Sequence, residues 1–156
     1  MSGSDMVDTG RWHSPVRQLH NQIEQLAPSG LQHGLETEVR PFSGGVDAAV
    51  LALARQIRDE LRHHAEANPG TVMEEYGIEL LLALYVARHE RRMFSISDLC
   101  DQSSMPPSSV IRCVTEYDRK GLIKKAHVND NGRRIFVRLS HIGAKLMTEW
   151  LRKIEP

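Results

Sequence analysis

The dipeptide Asn131-Gly132 constrains this chain more than any other pair of residues. It lies within NDNG, between two short runs, LIKKAHV at 122–128 and RIFVRL at 134–139. Both residues tolerate positive φ, as a tight hairpin turn requires. The two runs are therefore read as strands of one antiparallel hairpin. Directly before them stands MPPSSVIRCVTEYDRKGLI, residues 105–123. Pro107 suits a first helical position, because its missing N–H would have had no partner there. Gly121 supplies the stop. On this helix Val110, Cys113, Val114 and Tyr117 point inward, while Ser108, Ser109, Ile111, Arg112, Thr115 and Glu116 are left outside or at the edge.

The remaining pattern is helical. SPVRQLHNQIEQL at 14–26 reads as a short helix with Ser14 as cap, Pro15 at the first position, and Val16, Leu19, Ile23 and Leu26 on one face. The Pro- and Gly-punctuated stretch 27–45 reads as a linker. A longer helix is expected from about Val46 to Ala67, with Val46, Val50, Leu53, Ile57 and Leu61 as its stripe. The next, from about Val72 to His89, is apolar almost all round from Ile78 to Val86 and is expected to be the central core helix. FSISDLCDQSS reads as a short helix in which Ser95 and Asp98 match a capping box. A final helix begins after Ser140, with Ile142, Leu146, Trp150 and Ile154 at helical spacing.

Two short helices joined by a tight turn, followed by a basic hairpin, are the parts of a winged helix-turn-helix. In that arrangement the second helix enters the DNA major groove with its N-terminal residues against base edges. The small residues Pro107, Ser108 and Ser109 would let the backbone approach the duplex. The first-turn amides and the two serines can donate to phosphate, helped by the helix dipole. Arg112, one turn later, can reach a guanine edge through two hydrogen bonds. Thr115 and Lys124 are further candidate contacts. Arg133 and Arg134 sit beside the hairpin turn, where a wing can place an arginine in a narrow minor groove. Charge agrees: residues 106–156 carry 11 Lys+Arg against 5 Asp+Glu, a net of +6, and the remainder carries −6, although the whole chain is neutral. Such segregation suggests an anionic partner at one end of the molecule.

From about Ile78 to Leu151 the chain resembles the MarR (multiple antibiotic resistance regulator) family of bacterial transcription regulators. The resemblance is carried by ISDLC, by PPSSVIRCVTEYDRKGLI with its Lys-Gly-Leu-Ile exit, and by NDNGRRIFVRLSHIGAKL with its Gly-Arg-Arg wing and Leu-Ser-x-x-Gly run. It implies a mainly α winged helix-turn-helix protein with an N-terminal helical dimerisation extension. Such a protein binds double-stranded DNA as a homodimer and regulates transcription, as a repressor, from a pseudo-palindromic operator. A small-molecule effector, apolar and held between the dimerisation helices and the reader, is a further partner implied by the resemblance. Three departures stand out. Gly132 occupies a place where the family often has an aspartate, with Asp130 near. Pro106 stands where a capping Ser or Thr is usual, so Ser104 is expected to cap. Less helix follows the wing, so the N-terminal segment is expected to supply the missing share of the dimer.

The division expected is a flexible arm with a short helix at 1–45, a dimerisation helix at 46–71, the winged helix-turn-helix at 72–140 and a C-terminal helix at 141–156. Val46, Val50, Leu53, Ile57, Leu61, Leu146, Trp150 and Ile154 are the expected dimerisation residues. No Gly-rich phosphate loop, nucleophile elbow or metal-hydrolase pattern occurs, so an enzyme is not expected. The eight histidines match no ligand spacing, and no metal or cofactor is expected. Cys100 and Cys113 make no disulfide framework and read as buried, inert thiols rather than redox sensors. No apolar run approaches the roughly 18–20 residues of a membrane span, and the N-terminus does not read as a signal peptide, so a cytoplasmic protein is expected. The competing reading is a winged helix turned to protein contact, with the acidic N-terminal two-thirds as docking surface.

Overall fold

The structure, a computed structural model, describes residues 8–28, 48–68, 73–128 and 134–155. Along these residues run α1 (Asp8–Glu24), α2 (Ala48–Ala67), α3 (Met73–His89), β1 (Phe94–Ser95), α4 (Ile96–Gln102), α5 (Pro107–Arg119), β2 (Ile123–Val128), β3 (Arg134–Leu139) and α6 (His141–Ile154). The fold is mainly helical with a small antiparallel sheet, as the sequence pattern implies. The Asn131-Gly132 turn and most of the expected linker lie outside the described residues.

α3 is the central helix. Ile78, Leu80, Leu81, Leu82, Leu84, Tyr85 and Val86 are all buried, because helices pack on it from several sides. α2 lays Val50, Leu53, Ile57 and Leu61 against it, and α1 adds Trp12, Val16, Leu19 and Ile23. α6 closes the other side, where the Tyr85 hydroxyl and Thr148 Oγ1 are 2.8 Å apart. One cluster of buried apolar residues takes members from every helix, α1 to α6.

Two local expectations need correction. α1 begins at Asp8 rather than Ser14, so Pro15 lies inside the helix and Ser14 is not its cap. An internal proline gives up one helical hydrogen bond. The upstream turn is held all the same: Trp12 is buried, its Nε1 donates to Glu60 Oε2 at 2.6 Å, and Trp150 Nε1 donates to the Pro15 carbonyl at 3.0 Å. Second, Phe94 and Ser95 are not helical. They form β1, which pairs with β3 through Phe94↔Val137 and Ser95↔Phe136, giving the sheet order β1-β3-β2. The pairing covers an open strand edge and buries the Phe94 ring. Along the α6 stripe, Ile142 is exposed, Leu146 and Ile154 are half-buried and Trp150 is buried.

Other local readings hold. The capping box of α4 is present in both directions, with Ser95 Oγ accepting from the Asp98 amide and Asp98 Oδ2 from the Ser95 amide, each at 3.0 Å. Gly121, with φ of 79°, terminates α5. Ser140 caps α6 by accepting from the Gly143 amide at 2.9 Å.

Candidate nucleic-acid interface

The candidate interface is the outer face of α5 together with the β2–β3 hairpin. α5 buries Val110, Cys113, Val114 and Tyr117, all on one side. At 100° per residue the opposite side, an arc of roughly 100°, collects Ser108, Ile111, Arg112, Thr115 and Arg119. Pro107, Ser108, Ile111, Arg112, Thr115 and Arg119 are exposed, and Ser109 is half-buried. The helix starts without a side-chain cap: Pro106 is the capping residue, and its carbonyl accepts from the Ser109 and Val110 amides at 3.0 and 3.1 Å. Ser104 does not cap α5. Its hydroxyl is buried without a hydrogen-bond partner, while its amide donates to the Glu79 carboxyl on α3.

Arg112 is exposed on the outer face of α5. An ion pair with Glu116, one turn on, would have tied it down. Glu116 is instead held by Arg119, whose Nη2 donates to Oε2 at 2.5 Å and whose Nε donates to Oε1 at 3.3 Å. That guanidinium pulls the Glu116 carboxyl below its ordinary range. Arg112 has neither ion pair nor hydrogen bond to any described residue.

Other basic residues hold α5 and the hairpin in place. Lys120 ends α5 and is only 7% exposed. Its Nζ donates to the Glu24 and Leu26 carbonyls at 3.0 and 2.8 Å. A cation on the last carbonyl of α1, and on Leu26 just beyond it, satisfies groups that would otherwise be unpaired and complements the helix dipole. Arg88 Nη1 donates to the Leu139 carbonyl at 2.8 Å and fixes the foot of β3. Ser140 stitches the hairpin base to the end of α5, through Oγ to the Gly121 carbonyl at 2.6 Å and through its amide to the Leu122 carbonyl at 2.9 Å.

On the hairpin, Lys124 is half-buried and lies opposite Arg138, whereas Lys125 is exposed opposite Val137. Arg133 lies outside the described residues. The Arg134 backbone opens β3 and pairs with Val128. The residues expected at a dimer interface are mostly used within one chain: Val50, Leu53, Ile57, Leu61 and Trp150 are all buried in its own core. Val46 lies outside the described residues.

Burial pushes the Cys113 thiol up to about 11, so it carries almost no thiolate at neutral pH. No group of three or more metal-ligand side chains occurs among the described residues, and no described helix is long and apolar enough to cross a membrane. A cavity of about 190 Å3 lies between α2, α3 and α4, lined among others by Arg58, Arg62, Glu79, Arg92 and Ser103. Its lining mixes these groups with Leu80, Ala83 and Leu99, and two of its arginines are already paired, Arg58 with Asp59 and Arg92 with Glu90.

Residues 77–143 match a family of winged helix DNA-binding domains. No curated protein matches the chain in sequence. Among solved structures, the heme sensor protein PefR from Streptococcus agalactiae is 21% identical with a TM-score of 0.45, over 66% of this chain and 71% of that one. Wild type MarR from E. coli is 14% identical with a TM-score of 0.44, over 68% and 73%. YusO from Bacillus subtilis is 20% identical with a TM-score of 0.41, over 69% and 70%.

Proposed function

We propose that this chain, which carries a winged helix DNA-binding domain over residues 77–143, is a MarR-like transcriptional regulator that reads double-stranded DNA as a homodimer and represses from a pseudo-palindrome. The first turns of α5 enter the major groove. Pro107, Ser108 and Ser109 lie at the sugar-phosphate backbone, Arg112 addresses a guanine edge, and Thr115 follows one turn further in. Lys124, Arg133 and Arg134 carry the hairpin over the flanking phosphates and minor groove. Two copies of α5 sit about 34–36 Å apart in successive major grooves. Of the described residues expected at the dimer interface, Leu146 and Ile154 retain surface to offer a partner.

The observation that carries this reading is Arg112, exposed on the outer face of α5 and without an ion pair. Arg112→Ala is expected to cost about 2 kcal/mol on the best site and to relax base preference at one position of each half-site. Titration of that site and of a scrambled duplex at one salt concentration measures this. Equal loss on both would recast Arg112 as a phosphate contact. Arg133→Ala is expected to weaken binding to all sequences alike and to reduce the salt slope by about one phosphate's worth. An unchanged slope would remove Arg133 from the interface. Weak binding without sequence preference, by a protein that sediments as a monomer, would favour the protein-contact reading instead.

A further inference from the structure

Ile111 is not part of the core. It is 51% exposed, and of the three large apolar side chains exposed among the described residues, with Met93 and Ile142, it is the one on α5. It stands at one edge of the outer arc and Arg112 at the other, with Ser108, Thr115 and Arg119 between them and Val110, Cys113, Val114 and Tyr117 turned into the core. A branched apolar side chain here loses rotamer freedom in the helix and gains no core contact. The major groove offers one apolar feature that distinguishes bases, the thymine 5-methyl group, and short apolar side chains on a reading helix contact it.

We infer that Ile111 is a specificity-determining residue that packs on a thymine 5-methyl group in each half-site. The inference rests on the DNA-reading proposal and adds the identity of a base to it. Ile111 and Arg112 fall at the two edges of the exposed arc. The half-site therefore presents a methyl group to one flank of α5 and a guanine edge to the other. Discrimination is by apolar burial alone, so it excludes cytosine at that place and is lost on any base without the methyl.

The test removes only that methyl. The full chain is used to select bound duplexes from a random library, and the best site is then remade with uracil replacing each thymine in turn. For the unaltered protein one thymine per half-site should be sensitive, each substitution weakening binding about three- to fivefold, the worth of one buried methyl group. Ile111→Ser, which presents a polar hydroxyl in place of the apolar branch, should bind the thymine and uracil duplexes equally while retaining its preference for guanine. Its side chain is exposed, so it should melt as the unaltered protein does. A site at which no thymine is sensitive, or one whose sensitivity persists in Ile111→Ser, would overturn the inference and leave the DNA-reading proposal standing. A selection that enriches no sequence would overturn both.

Discussion

Gly143→Ala should destabilise the chain by about 3 kcal/mol, the upper end of the usual cost of overpacking. Two effects oppose each other. Alanine is the better helix former by roughly 1 kcal/mol, and Gly143 lies within α6. Against that gain, a Cβ at this position would overlap the Leu122 carbonyl oxygen and stand 3.2 Å from Leu139 Cδ2. The first obstacle is main chain and cannot rotate away. That same carbonyl accepts from the Ser140 amide at 2.9 Å. Any shift that relieves the overlap therefore pulls on the hydrogen bond joining the exit of α5 to the start of α6. The steric cost wins. For a chain of this size the loss corresponds to a melting temperature lower by roughly 6–12 °C. Thermal and denaturant melts of the two proteins decide it. A variant as stable as the parent would mean that Leu122 yields at no cost.

Gly143 also marks how far the sequence can be read. The Leu-Ser-x-x-Gly run from Leu139 to Gly143 is recognisable as a family pattern, but its reason is the close approach of α6 to residue 122, a contact that no local rule encodes. Signals confined to a few neighbouring residues were legible: the Ser95 and Asp98 capping box, Pro107 at the start of α5, the Gly121 stop, and the inner stripe of Val110, Cys113, Val114 and Tyr117. Each depends on backbone geometry that a short segment dictates for itself. The misreadings are tertiary. β1 is two residues long and exists because β3 has an edge to offer. α1 extends upstream of Pro15 because Glu60 and Trp150 hold it there.

The candidate interface divides in the same way. The exposed face of α5 follows from periodicity, so Ser108, Arg112 and Thr115 could be named from the sequence. Counting charges overstates what is available to a nucleic acid. Lys120 contributes to the basic balance of the last third but is buried on the carbonyls of α1, and Arg119 is paired with Glu116. Ile111 carried a signal that went unused: an apolar residue on the polar arc of an otherwise cleanly amphipathic helix. Glu79 carried another. It interrupts the apolar run from Ile78 to Val86 on a helix whose every side is covered, so a buried carboxyl could have been expected there.

That carboxyl gives the second large effect. Glu79 is only 3% exposed, and one of its oxygens, Oε1, has no hydrogen-bond partner. The groups facing it from α2 are Arg62, Arg58 and Glu66, and from the turn before α5 the Ser104 amide. Loss of solvent outweighs the attraction of the arginines and the Ser104 hydrogen bond, and burial pushes the carboxyl from its ordinary 4.5 up to about 7. Below pH 4.5 the group is protonated in both folded and unfolded chains and costs nothing. Between about 4.5 and 7 the unfolded chain ionises while the folded one keeps its proton, so stability falls as pH rises. Above 7 the full cost is present, about 3 kcal/mol for a shift of this size. Glu79→Gln can still accept from the Ser104 amide but cannot ionise. Its stability should stay nearly level across that window, match the parent near pH 4.5, and exceed it at pH 8 by an amount approaching that cost. Urea melts of both proteins at half-unit intervals measure the difference. Parallel curves would show that Glu79 keeps an ordinary carboxyl in the folded chain. Diverging curves would place a titrating group behind the turn that leads into α5, since Ser104 and Pro107 are three residues apart.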